Sequence, residues 1–197
     1  CTGLTSFPAI DTSSCTNFQS TWQSCTGLTS FPLINTSSAT TFQGCWQSCS
    51  GLTSFPQIDT SSATIISFTW QSCTGLTSFP VLDTSSATSL GHAWRGCTGI
   101  TTFPSLDFSS ATRLDYAWFG CSSLTTYPAN QFDTTGTLIS TAFHNSFGGC
   151  ALTAQSIENI LTSLDTNGAQ NISLAIDGGT NADASTWSYD AVDAYVD

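Results

Sequence analysis

Residues 25–48 read CTGLTSFPLINTSSATTFQGCWQS, and residues 73–96 read CTGLTSFPVLDTSSATSLGHAWRG. The two are near-copies in a series. Cys1, Cys25, Cys49, Cys73, Cys97 and Cys121 recur every 24 residues, and each opens one copy. A repeat of this length is one coil, which cannot bury its apolar side alone. Stacked coils share a continuous core and present long, regular faces. Such a rod suits display, adhesion or scaffolding better than chemistry in a pocket.

The copies can be read against each other, with the cysteine as position one. Constant positions point inward or define turns, and variable positions point outward. Leu4 recurs as Leu28, Leu52, Leu76, Ile100 and Leu124. Phe7 recurs as Phe31, Phe55, Phe79, Phe103 and Tyr127. The LTSF segment therefore reads as a short β-segment in parallel register with its neighbours. It is ended by the column Pro8, Pro32, Pro56, Pro80, Pro104 and Pro128, which donates no ladder bonds. Phe18, Trp22 and Cys25 follow at i, i+4 and i+7, which predicts one inward face of a helical turn. The Trp column keeps phase with these apolar positions, so it reads as core rather than as a carbohydrate platform.

The expected fold class is an α/β solenoid. It is a leucine-rich-repeat-like stack of six coils over residues 1–150, with short parallel strands and helical turns. A small α/β cap, helix–strand–helix, is expected over 151–197. Its first helix carries Ile157, Ile160, Leu161 and Leu164, starts at Thr153 and stops at Asp165-Thr-Asn-Gly. Residues 171–176 read as a strand and 184–196 as a second helix.

Asp11 recurs as Asn35, Asp59, Asp83, Asp107 and, after an insertion, Asp133. A carboxylate column invites a calcium reading. Asn35 argues for an Asx-turn or helix N-cap instead, because Asn caps as well as Asp but is a poorer ligand for a hard cation. No metal and no cofactor are expected. The chain holds nine cysteines, an odd number. In-register coils place equivalent residues ~4.8 Å apart with parallel side chains. That favours a ladder of free, buried thiols over crossed disulfides.

Charge excludes several partners. The net charge is −11, there is no lysine, and Arg95 and Arg113 are the only cations apart from histidine. Phosphate binding needs Lys and Arg, so nucleic acid is not an expected partner, and an anionic membrane surface is disfavoured too. No apolar run approaches the ~20 residues of a membrane span, so membrane insertion is not expected. A hydroxyl-rich skin with almost nothing for trypsin to cut fits an extracellular, cell-surface or virion setting. The chain opens on the first position of a repeat and holds no methionine. It is expected either to be part of something longer or to dock its uncapped first coil on a neighbour, a route to self-association.

Segments of the form F-x-x-x-W-x-x-C-x-x-L-T-x-F-P, as in Phe18 to Pro32, resemble BspA-type leucine-rich repeats. The wording LTSFP-x-x-DTSS looks like the variant found in bacterial surface proteins and in structural proteins of tailed phages. The resemblance covers residues 1 to about 150. It implies a curved right-handed solenoid used in surface attachment or host recognition, with no catalytic site. Trp in place of the commoner Phe, and the proline column, are departures.

Positions nine, seventeen, nineteen, twenty and twenty-three vary most and are expected to face solvent. Position twenty is Ser20, then Gly44, then the rings of Phe68, His92 and Tyr116. Arg95, Arg113 and Phe119 stand at variable positions of the same coils. Exposed aromatics with Arg are the composition of an interface hot spot. These six residues are the expected binding site for another protein or a surface glycan. The competing reading is an ice-binding face, because Thr5, Thr29, Thr53, Thr77, Thr101 and Thr125 never vary. An enzyme is not expected: His92 and His144 lie in different coils, with no nucleophile or metal spacing beside them.

Overall fold

Hydrogen bonds run from each coil to the next at a fixed offset. In the computed structural model, which describes residues 1–136, 141–168, 174, 176 and 178–182, four amides of the first coil reach the second. Phe18 N–H donates to the Thr41 carbonyl, Ser20 to Gln43, Trp22 to Cys45 and Ser24 to Gln47, at 2.7–3.0 Å. The amides between them turn back three residues, Thr21 to Phe18, Gln23 to Ser20 and Cys25 to Trp22, at 3.2–3.3 Å. Coil after coil repeats this alternation, down to Tyr116 on His144 and Trp118 on Ser146.

That alternation corrects the expected fold class. Among the described residues there is one helix, α1 (Ala154–Asn167), and no strand. Five isolated parallel bridges occur, Asn17–Thr41, Thr41–Ile65, Ile65–Ser89, Ser89–Arg113 and Thr102–Thr126. The chain is therefore not an α/β, leucine-rich-repeat-like solenoid of parallel strands and helical turns. A strand sends its amides outward and a helix sends all of them inward; here every second amide does each, so neither forms. The LTSF segments make few bonds across coils, among them Thr53 to Thr29 at 3.2 Å and Thr125 to Thr101 at 3.0 Å. Proline follows each segment and cannot extend the pairing. Glycine precedes it: a Cβ on Gly75 would lie 2.6 Å from the Ser50 carbonyl oxygen and 2.7 Å from that of Leu52.

The turn ribbon needs left-handed backbone at two columns. Position twenty-four holds Ser24, Ser48, Ser72, Gly96 and Gly120, all at positive φ. Position twenty holds Ser20, Gly44, Phe68, His92 and Tyr116, also at positive φ.

The core is aromatic. The rings of Trp22, Trp46, Trp70, Trp94 and Trp118 stack in parallel at 5.4–6.0 Å. The Phe31, Phe55, Phe79 and Phe103 column stacks beside them at 6.0–6.4 Å. The two columns meet edge to face, as in Trp46–Phe55 at 4.8 Å and Trp70–Phe79 at 4.7 Å. Trp46, Trp70, Trp94 and Trp118 have no exposed surface. Their indole N–H groups find no oxygen or nitrogen partner. In the first coil Leu4 and Phe7, expected to be buried, are only partly so, because no described coil lies in front of them.

At Asp11, Asn35, Asp59, Asp83 and Asp107 the turn is an Asx-turn, not a helix cap, whereas Asp133 accepts from the Ser163 hydroxyl. Asp83 Oδ1 accepts from the Ser85 amide at 3.0 Å and its hydroxyl at 2.6 Å. Asn35 holds Ser37 in the same way at 3.1 and 2.8 Å. Behind the turn, Thr36 Oγ1 donates to the Asp59 carbonyl at 2.7 Å and Thr60 to Asp83 at 2.6 Å, tying coil to coil.

Cys121 and Cys150 are 29 residues apart, so the sixth coil is longer than the rest. The sequence points to Phe143 as the replacement for Trp. The structure gives that place to Phe147, which stacks on Trp118 at 4.9 Å with an interplanar angle of 2°. Helix α1 then lies across this coil. Thr153 caps it by accepting from the Ser156 amide, and Gly168 ends it in the left-handed conformation. Its Ser156 and Ser163 hydroxyls accept from the amides of Tyr127 and Phe132 at 3.0 and 2.7 Å. Its Asn159 donates to the Tyr127 carbonyl at 2.9 Å. Ile157, Ile160, Leu161 and Leu164 are buried beneath it. The strand and second helix expected over 171–176 and 184–196 fall almost wholly outside the described residues.

Candidate functional site

Position twenty lies in the turn ribbon, where its amide bonds to the next coil. Phe68, His92 and Tyr116 occupy it in three neighbouring coils, so the coil spacing itself brings the rings together. Phe68 stacks on His92 at 4.6 Å and His92 on Tyr116 at 4.9 Å, with interplanar angles of 14° and 17°. All three are half-buried rather than fully exposed, because each ring covers the next. Ile65, three residues before Phe68 in the third coil, is 38% exposed.

The φ values are +62° at Phe68, +60° at His92 and +54° at Tyr116. Left-handed backbone is costly for bulky side chains, on the order of 1–2 kcal/mol per residue. Gly44 meets the same requirement in the second coil without that cost. Three rings are thus held where glycine or serine serves the fold.

Position twenty-three changes in parallel. Gln23, Gln47 and Gln71 form an amide ladder, with Nε2 to Oε1 distances of 2.6 Å. The ladder gives way to Arg95 and Phe119. The Arg95 guanidinium lies 5.3 Å from the Phe119 ring centre and 5.7 Å from that of Tyr116, within cation–π reach. Phe119 meets Tyr116 edge to face at 5.6 Å. Five of the six residues expected at the site, Phe68, His92, Arg95, Tyr116 and Phe119, are one contiguous group.

Arg113 joins them through a residue the sequence did not single out. Its Nε and Nη2 donate to Asp115 at 3.1 and 3.2 Å, and Asp115 lies 3.7 Å from His92 Nε2. Burial pushes the His92 pKa down; Asp115 opposes the shift, and Arg95 and Arg113 add to it. His92 is therefore held neutral to lower pH than a free imidazole. His144, also not placed at the site by the sequence, meets Tyr116 edge to face at 5.3 Å. The two histidines, in different coils and register positions, flank the same ring. A cleft of about 300 Å³ opens here, lined by Arg113, Asp115, Thr141 and His144.

Among the described residues, no group of three or more His, Cys, Asp or Glu side chains could hold a metal. The Asp177 region, where weak calcium binding is one reading of the sequence, includes residues outside the described set. No described helix is long and apolar enough to cross a membrane.

Comparison with protein-family models, with curated proteins and with solved structures returns no match for this chain.

Proposed function

We propose that the chain is a non-enzymatic surface or appendage protein, extracellular, on a cell surface or on a virion. It mediates attachment or assembly through the side of coils three to five. The observation that carries this reading is the ring column Phe68–His92–Tyr116, held at positive φ where Gly44 serves the same turn. Bulky rings kept at a left-handed turn position that Ser20 and Gly44 fill in other coils point to a function there. Aromatic side chains grouped with Arg95 are the residue types that dominate binding energy at interfaces. The resemblance of the repeats to BspA-type surface repeats supports the same reading.

The test is retention of the chain on the surface it decorates. Alanine at Phe68, Tyr116 and Phe119 together is expected to abolish retention while leaving the circular dichroism spectrum unchanged. Retention equal to wild type would reject this face.

Ice binding is the second reading, favoured by exposed threonine columns at positions five and sixteen. Many of those hydroxyls are used within the stack. Thr53 donates to the Thr29 carbonyl at 3.3 Å, and Thr88 to Thr64 at 3.2 Å. A thermal-hysteresis measurement separates the two readings.

A further inference from the structure

The whole sequence contains two arginines, two histidines and no lysine. All four of these side chains converge on one spot. His92 and His144 flank Tyr116, Arg95 lies over it, and Arg113 is fixed beside it by Asp115. On a chain of net charge −11, this is where its two arginines and two histidines gather.

We propose that the cleft lined by Arg113, Asp115, Thr141 and His144 binds one carboxylate-bearing sugar unit, a uronic or sialic acid residue of a surface glycan. The proposal rests on the reading of this side of the stack as the attachment face, and it names the ligand. The volume of about 300 Å³ is at the small end of ligand sites and suits a single sugar ring. Arg113 is 59% exposed. Asp115 engages two of its five N–H donors, which orients the fork and leaves three for a carboxylate. An Arg fork matches a carboxylate in two parallel bonds. His144 lines the same cleft, and its imidazole can donate an N–H.

Asp115 decides what kind of anion fits. Its charge is balanced by Arg113, so its free lone pairs accept neutral hydroxyl donors rather than seek a cation. Thr141 adds a hydroxyl that both donates and accepts. A site that pairs a carboxylate fork with hydroxyl acceptors matches a sugar acid. Inorganic phosphate, as a dianion, brings about twice the charge of a carboxylate to a single Arg fork already paired with Asp115, and it has no row of neutral hydroxyls for Asp115 and Thr141. A protein interface of standard size buries about 800 Å² per partner and does not need a cleft.

The test uses the full chain, with NMR titration by galacturonic acid, N-acetylneuraminic acid, galactose and a short acidic peptide. At least one of the two sugar acids is expected to shift the signals of Arg113, Asp115 and His144, with affinity at least about tenfold above galactose. Arg113→Gln and, separately, His144→Ala are expected to weaken that binding at least about fivefold without changing the fold, since both side chains are exposed. Equal binding of galactose overturns the proposal, as does no binding by either acid, or binding of the acidic peptide alone. The attachment assay separates this result from the parent reading. If the Phe68, Tyr116 and Phe119 alanine variant loses retention while no sugar acid binds, the face stands and the ligand is wrong. If a sugar acid binds but that variant is retained, the ligand stands and the aromatic face is wrong.

Discussion

The Cys49 thiol lies 3.0 Å from the carbonyl oxygen of Trp22 and donates to it. The same bond recurs once per coil: Cys73 to Trp46, Cys97 to Trp70, Cys121 to Trp94 and Cys150 to Trp118, at 3.1–3.3 Å. The cysteine column is therefore a row of neutral donors, each tied to the Trp carbonyl that stands just before the preceding cysteine of the column. Only Cys1 is exposed and Cys15 half-exposed; the other seven are buried. A thiol reagent at about pH 8 is expected to label Cys1 and Cys15 in the folded chain and all nine after denaturation. Rapid labelling of the buried seven in the native state would contradict the column.

Alkaline pH should unfold the stack through the same thiols. Burial pushes Cys49 up to about 11 and Cys150 up to about 12, from an ordinary 9.0. Burial also raises Cys45, Cys97 and Cys121 well above that value. The folded state favours the protonated thiol, so this contribution is whole below about pH 9. It is lost as pH rises through the folded values. The Tm is expected to be flat from about pH 6 to about pH 8.5 and to fall between about pH 9 and pH 12. A constant Tm up to about pH 11 would show that the thiols contribute nothing.

Trp70 touches Trp46, Trp94, Phe55 and Phe79 at centroid distances of 4.7–6.0 Å. Trp70→Ala is expected to cost about 3–5 kcal/mol in chemical denaturation, as for other large core truncations. Trp70→Phe should recover a large part of this, because Phe147 already fills the equivalent place over Trp118. A loss below about 1 kcal/mol for the alanine variant would show that the ring columns do not hold the coils.

Position twenty-four gives a backbone test free of steric confusion. Gly120 has φ +72°, and a Cβ there would meet nothing closer than 4.0 Å. Gly120→Ala is expected to cost about 1–2 kcal/mol from the left-handed backbone alone. Ser72, at φ +60° in the same column, is the reverse case, and Ser72→Gly is expected to raise stability slightly. Opposite signs for the two substitutions in thermal melts are the expected result; equal signs would contradict the turn geometry.

The constant columns were legible in the sequence because the copies compare themselves. Leucine, phenylalanine, tryptophan and cysteine keep phase, and from the second coil onward these columns are buried. Secondary structure was not legible. Phe18, Trp22 and Cys25 at i, i+4 and i+7 fit a helical face, but the same spacing arises when turns advance the chain by pairs of residues. Hydrophobic spacing does not report which amides bond locally and which across coils. The signal for the ribbon lies in position twenty-four, where Ser in the first three copies gives way to Gly in the next two, as left-handed backbone permits.

The site was partly legible for the same reason. Phe68, His92 and Tyr116 share a register position, so equal coils had to align them. Asp115 stands in a column of Gln, Ser and Gly, and its role depends on Arg113 two residues before it. The long sixth coil hid His144. Its register follows only from the Tyr116 amide bonding to its carbonyl.

The most direct test of the account is side-chain footprinting of the chain bound to the surface it decorates. Oxidative or carbodiimide labelling, read by mass spectrometry, reports each face separately. Protection is expected at Phe68, His92, Tyr116, Phe119 and Asp115, with no change at the exposed Leu33 and Val81. Protection of those two residues instead, with the ring column as reactive as in the free chain, would contradict it.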